Sequence, residues 1–162
     1  MPPTIPFKEF DQEMAATRRL LERVPSDKAE WKPHPKSFAL GHLVQLIASM
    51  PGWITFTLRQ PSFDLATTGG YGFHPTEELL KTFDTNVKEA REALGAVTSE
   101  AALNEPWSLK HGERVLMTLP RVEVVRQHIS HLVHHRGQLT VYLRELDVAL
   151  PSIYGPTADE RW

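Results

Sequence analysis

The positions Phe7, Phe10, Met14, Thr17, Leu21 and Val24 recur at three- and four-residue steps with charged residues between them. That is the period of an amphipathic helix, predicted over 6–24 and closed by Pro25. Ser26 to Lys36 carries two prolines and reads as a connector. Ser37 is placed as the N-cap of a second, strongly apolar helix running to Gln60, with a bend at Pro51-Gly52. Pro61 to His74, with three glycines, reads as a loop. Pro75 and Thr76 open a third helix with Glu77 and Glu78 in the first turn, where the helix dipole favours anions. Its apolar stripe, Leu80, Phe83, Val87, Ala90 and Leu94, ends near Gly95.

Thr98 to Met117 carries the weakest pattern, a short helical turn at SEAAL and then irregular or strand-like chain around Trp107 and Val115. Thr118 is taken as the cap of a fourth long helix reaching Asp147. In the tail beyond Leu150, Ile153 and Tyr154 call for burial. Four long amphipathic stretches without convincing strands predict an all-α fold, a helix bundle.

The chain has 162 residues, the length of one ordinary domain, and no cysteine. Thiolate zinc sites, iron–sulfur clusters, disulfides and a cysteine nucleophile are therefore excluded, and any metal must be held by nitrogen and oxygen. Eighteen Lys and Arg against twenty Asp and Glu leave a formal charge of −2, which argues against nucleic acid as a partner. Met1 to Pro6 has neither a basic nor an apolar run, so it does not read as a signal peptide. The longest apolar stretch, Phe38 to Leu58, is broken by His42, Gln45, Ser49 and Pro51-Gly52, so no membrane span is expected. The expectation is a soluble cytoplasmic protein.

Histidine is the unusual component. Four of the eight, His128, His131, His134 and His135, fall within the fourth helix. At about 100° per residue, His131 and His135 lie about 40° apart and can chelate one ion from one face. His128 and His131 form the competing pair. His134 points about 100° away from His135 and is assigned to the surface or an interface. The apolar stripe of Val125, Ile129, Leu132, Leu139 and Leu143 runs beside the histidines and turns them toward a partly dry site. Neutral imidazoles there suit zinc, nickel, copper or iron. Two ligands hold a metal weakly, and His42, in the apolar second helix, is the best third candidate. His34, His74 and His111 lie in predicted loops and are taken as solvated. Gly137, in mid-helix, suggests close approach of a backbone or ligand, or a tight helix crossing.

Leu40-Gly-His-Leu43, the string His131-Leu-Val-His-His-Arg-Gly-Gln-Leu139 and the tail Pro151 to Glu160 together resemble the DinB-like proteins, in order and spacing over nearly the whole chain. The resemblance implies a DinB-like four-helix bundle with up-down-down-up connections over 1–162, a homodimer, and a divalent metal, zinc or nickel, held by three histidines. On this chain those are His42, His131 and His135. It further implies chemistry of the metal-dependent thiol S-transferase or thiol-dependent isomerase type on a small molecule. A low-molecular-weight thiol would then be cosubstrate, and metal-bound water or thiol the reacting group.

Three neutral imidazoles leave the ion its full charge and open positions, which would equally serve a metal-dependent hydrolase. A non-catalytic dimeric metal-binding stress-response protein is the third reading. HExxH, a phosphate loop, a nucleotide fingerprint and a Ser-His-Asp order are all missing from the sequence. Gln45, Trp53, His128, Arg136 and Gln138 are the candidate supporting and pocket residues. Gln138 and Gln45 would hold imidazole tautomers, and Arg136 would attract an anion or form a surface ion pair.

Overall fold

Helix α2 (Leu40–Arg59) is the most apolar of the long helices and packs against those formed by Thr76–Gly95 and Arg121–Glu145. Leu40, Leu43, Val44, Ile47 and Ile54 are fully buried along one face, while His42, Ser49, Trp53 and Phe56 on the opposite face are only partly covered or exposed. The computed structural model describes residues 7–161. The other long helices are α1 (Phe10–Leu21), α3 (Thr76–Gly95) and α5 (Arg121–Glu145), with a short α4 (Glu100–Asn104). Helices α1 and α2 each pack against both α3 and α5, so the four long helices share one core. No helix among the described residues is long and apolar enough to cross a membrane.

The all-α expectation is wrong. Besides five α-helices, the described residues form a three-stranded mixed sheet of order β1-β2-β3. Strand β1 (Ser62–Asp64) lies parallel to β2 (Pro106–His111), and β2 pairs antiparallel with β3 (Arg114–Pro120). The β2–β3 hairpin closes on Gly112-Glu113, with Gly112 at φ +60°, the first central position that a type II′ turn reserves for glycine. Along β2, Trp107 is buried and its neighbour Ser108 pairs outward with Thr118 Oγ1 at 2.8 Å, the alternation of a half-covered strand. Asp64 Oδ1 accepts from the amides of Ala66 and Gly112, both at 2.9 Å, which ties the loop after α2 to the hairpin tip.

The helix boundaries move for local reasons. Helix α1 covers only Phe10–Leu21, and Pro6, where it was expected to begin, lies with Met1 to Ile5 outside the described residues. Ser37 does not cap α2. The amides of Leu40 and Gly41 are instead taken by the carbonyls of Trp31 and Ala29, each at 2.9 Å, so the proline-rich connector supplies the cap. Thr118 belongs to β3, and α5 starts three residues later behind Pro120. Pro51 leaves α2 without one amide donor, yet the helix continues. Beside it, Asn86 of α3 donates to the Ala48 carbonyl at 2.9 Å and comes within 3.1 Å of where a Cβ on Gly52 would stand.

Candidate functional site

One turn of α5 brings His131 and His135 together. Their Nε2 atoms are 2.9 Å apart and their ring centres 4.7 Å. The other nitrogen of His135, Nδ1, lies 2.7 Å from Gln138 Oε1. An amide oxygen only accepts, so the His135 proton sits on Nδ1 and the Nε2 lone pair points at His131. Burial holds both rings below the ordinary imidazole pKa. For His131, repulsion from His135 and His134 adds to it. For His135, repulsion from His134 and His42 adds, against the opposing Gln138 bond. Neutral imidazoles with a free lone pair are the form in which histidine binds a metal.

His42 stands on α2 with its ring stacked on Phe38 at 4.3 Å and edge-on to Tyr71 at 5.3 Å. The same Phe38 ring is 6.5 Å from His135, so one aromatic side chain neighbours both histidines. Among the described residues no three His, Asp or Glu side chains close around a single point; the structure joins His131 to His135 and leaves His42 to one side. Gln45, a turn beyond His42, is buried, and its Oε1 has no partner among the described residues.

His128 does not compete for His131. Its Nε2 is 3.0 Å from Thr57 Oγ1, and its ring lies 5.6 Å from Trp53 and 6.3 Å from Trp107. Burial pushes its pKa down to about 4, with repulsion from His131 adding to that shift. Trp53 is 5.8 Å from His131 and helps line a cleft of about 360 Å³ that opens at that histidine. The far wall of the cleft is the sheet, through Phe63, Trp107, Leu109 and Met117. Sequence reasoning missed these four. The available signals were the alternation Trp107-Ser108-Leu109-Lys110 and the His111-Gly112-Glu113-Arg114 turn.

Arg136 turns away from the site, so neither of its expected roles holds. It is 2% exposed and pairs with Glu13 of α1 at 2.6 Å. It also donates to Tyr154 Oη at 2.7 Å and to the Glu13 carbonyl at 3.1 Å. Tyr154 is 58% exposed, against the expectation of burial, while its hydroxyl donates inward to Glu13 at 2.8 Å. The Arg136 group therefore clasps α1, α5 and the tail together. Gly137 is likewise explained by neither reading, since a Cβ there would meet nothing within 4 Å. The close approach is at Gly41, where a Cβ would fall 2.8 Å from Phe73 Cβ. His134, His34, His74 and His111 are exposed.

The family model for the DinB family matches residues 5–161. The chain belongs to the DinB family. Among curated relatives, it is 24% identical over 160 residues to the uncharacterized protein YrdA of Bacillus subtilis (strain 168), covering 96% of this chain and 89% of that protein. Two DinB-like crystal structures share the DinB fold. One, from Bacillus cereus ATCC 10987, has a TM-score of 0.72 and 19% identity, over 91% of this chain and 95% of that one. The other, YjoA of Bacillus subtilis, has a TM-score of 0.69 and 19% identity, over 94% and 96%. These matches establish the family and the fold.

Proposed function

We propose that this DinB-family protein binds one divalent metal, zinc or nickel, through His131, His135 and His42, and transfers or rearranges a small molecule held in the adjoining cleft. The observation that carries the reading is the His131–His135 pair, with Nε2 atoms 2.9 Å apart and the outer nitrogen of His135 fixed by Gln138. Two nitrogens at about 2.0–2.1 Å from one ion stand roughly 2.9–3.4 Å apart for right-angle to tetrahedral geometry. The spacing of the pair suits a shared ion, and an all-nitrogen donor set is among those open to a cysteine-free chain. His42 is the proposed third ligand, because it lies on a different helix and shares the neighbouring Phe38 ring with His135.

When bound, such an ion supplies Lewis-acid activation of a thiol, of water or of a substrate carbonyl. The protein's own part is to hold the His135 proton on Nδ1 through Gln138 and to wall the cleft with Trp53 and Trp107. Among the described residues lining the cleft there is no Asp or Glu to serve as general base. The lining histidines are engaged as well, His128 through Nε2 with Thr57 and His131 in the proposed site, which favours a low-molecular-weight thiol, the stronger nucleophile once bound, over hydrolysis. The preferred reading is therefore a metal-dependent thiol S-transferase or thiol-dependent isomerase acting as a cytoplasmic homodimer.

Elemental analysis of untagged protein tests the metal, with one ion per chain expected and none in His131→Ala or His135→Ala. Full occupancy in both variants overturns the assignment. Thiol consumption with a panel of electrophiles, measured beside ester hydrolysis without thiol, decides between the two chemistries, and light scattering checks the dimer.

A further inference from the structure

We propose that His128 Nδ1 is the polar anchor of the cleft between α2, α5 and the sheet, accepting a hydrogen bond from an O–H or N–H group on the compound held there. Thr57 fixes the proton that makes this so. Its side chain is fully buried, and its single hydroxyl proton lies between the Trp53 carbonyl at 2.9 Å and His128 Nε2 at 3.0 Å. A carbonyl oxygen only accepts, so the hydroxyl donates to Trp53 and turns a lone pair toward the histidine. Donation to Nε2 instead would press two oxygens together at 2.9 Å with no proton between them, away from water. The chain from Nε2–H to Oγ1–H to the carbonyl makes both bonds, and it requires the His128 proton on Nε2. Nδ1 keeps its lone pair.

That nitrogen is also within reach. It has no hydrogen-bond partner among the described residues, yet it is not closed to water, as the Trp107 indole nitrogen is. His128 is half-buried and lines the cleft from α5, beside Gln127 and His131. The burial that pushes its pKa down to about 4 keeps the ring neutral near pH 7. It therefore accepts a hydrogen bond without taking the proton.

The rest of the lining describes the body of the compound. Trp53, Phe56, Phe63, Leu109 and Met117 give apolar walls to a space of about 360 Å³, within the range of small-molecule sites. Thr68 and Gln127 on the same walls are exposed, where water competes for them. An apolar body carrying a hydroxyl or N–H is what these surfaces complement. A carbonyl or ether oxygen placed at Nδ1 would meet a second lone pair and lose its water for nothing. The anchor stands one helical turn from His131, so other groups on the same compound can reach the ion proposed there. Calling that compound the substrate rests on the metal-site reading above; the hydrogen bond to His128 does not.

The test compares 2-naphthol, which carries a donor, with 2-methylnaphthalene, its apolar isostere, by equilibrium dialysis against the full chain in EDTA and again with zinc. Taking the ratio of the two affinities in each variant cancels their difference in hydrophobicity. That ratio is expected to fall about fivefold in His128→Phe, the worth of one hydrogen bond. It should also fall in Thr57→Val, where Nδ1 is no longer held as the unprotonated nitrogen. Nitrogen-15 NMR of the unaltered, histidine-labelled protein needs no variant. It should place the His128 proton on Nε2 and show Nδ1 shifting with 2-naphthol and not with 2-methylnaphthalene. An unchanged ratio in a folded His128→Phe, a proton on Nδ1, or a preference that appears only with zinc overturns the proposal. The preference in a chain that holds no metal would sink the functional reading and leave this one standing; metal without the preference does the reverse.

Discussion

Gln138 Oε1 takes the Nδ1 proton of His135 at 2.7 Å, and so decides which nitrogen of that ring is free to face His131. Both residues lie on α5, three positions apart, so the contact is made within the helix itself. Loss of such an outer partner typically weakens a metal site 10–100-fold. Gln138→Leu is therefore expected to lower zinc affinity by that range without altering the fold, whereas Gln138→Glu should preserve or tighten it. Competition with a chromophoric chelator measures both, and equal affinity in Gln138→Leu would remove the residue from the site.

The Glu13–Arg136 pair is buried on both sides, and breaking one half leaves an uncompensated charge. Arg136→Met is expected to cost about 3–5 kcal/mol, roughly 10 °C in melting temperature for a domain of this size. The double variant Arg136→Met, Glu13→Leu should recover much of that loss, because an apolar pair of similar volume no longer buries a charge. Thermal unfolding of the single and double variants checks both expectations.

His128 makes stability depend on pH in a stated direction. The unfolded chain takes up its proton near 6.5, whereas burial delays uptake in the folded protein to about 4. The unfolded state therefore binds more protons in between, and stability is complete above 6.5 and declines as pH falls from 6.5 to about 4. At 1.36 kcal/mol per unit the loss from this group reaches about 3 kcal/mol. His131 and His135, also depressed by burial, act in the same direction. Urea unfolding in EDTA at pH 7.5 and 4.5 should show the decline, and His128→Gln should flatten it. An unchanged slope in that variant would clear His128 of the effect.

Two glycines should respond oppositely to alanine. Gly137→Ala, with open space around the added methyl, is expected to stabilise α5 by about 0.5–1 kcal/mol. Gly41→Ala, driven against Phe73, should cost about 1–3 kcal/mol. Melting temperatures of the two variants give the signs directly.

Much of the helical frame was legible because helical periodicity is written in neighbouring residues. Helix α3 begins at Thr76, where its acidic first turn places it, and the five residues of α4 follow Ser99, which accepts from the Ala102 amide at 3.3 Å. The sheet was hard to read because β1 has only three residues and pairs with β2 more than forty positions away. No local pattern records such a partner. The same limit applied to Arg136, which stands beside His135 in sequence but turns toward Glu13 of α1.

The sequence by itself determined the long helices, the absence of any thiol and the His131–His135 pair. Each follows from composition or from spacing along a single helix, where geometry is set by 3.6 residues per turn. Only the tertiary structure decided that His128 is taken by Thr57, that Arg136 is a clasp, and that a sheet walls an aromatic cleft beside His131. Those outcomes depend on contacts between distant segments, and burial there, not spacing, selects which side chain meets which.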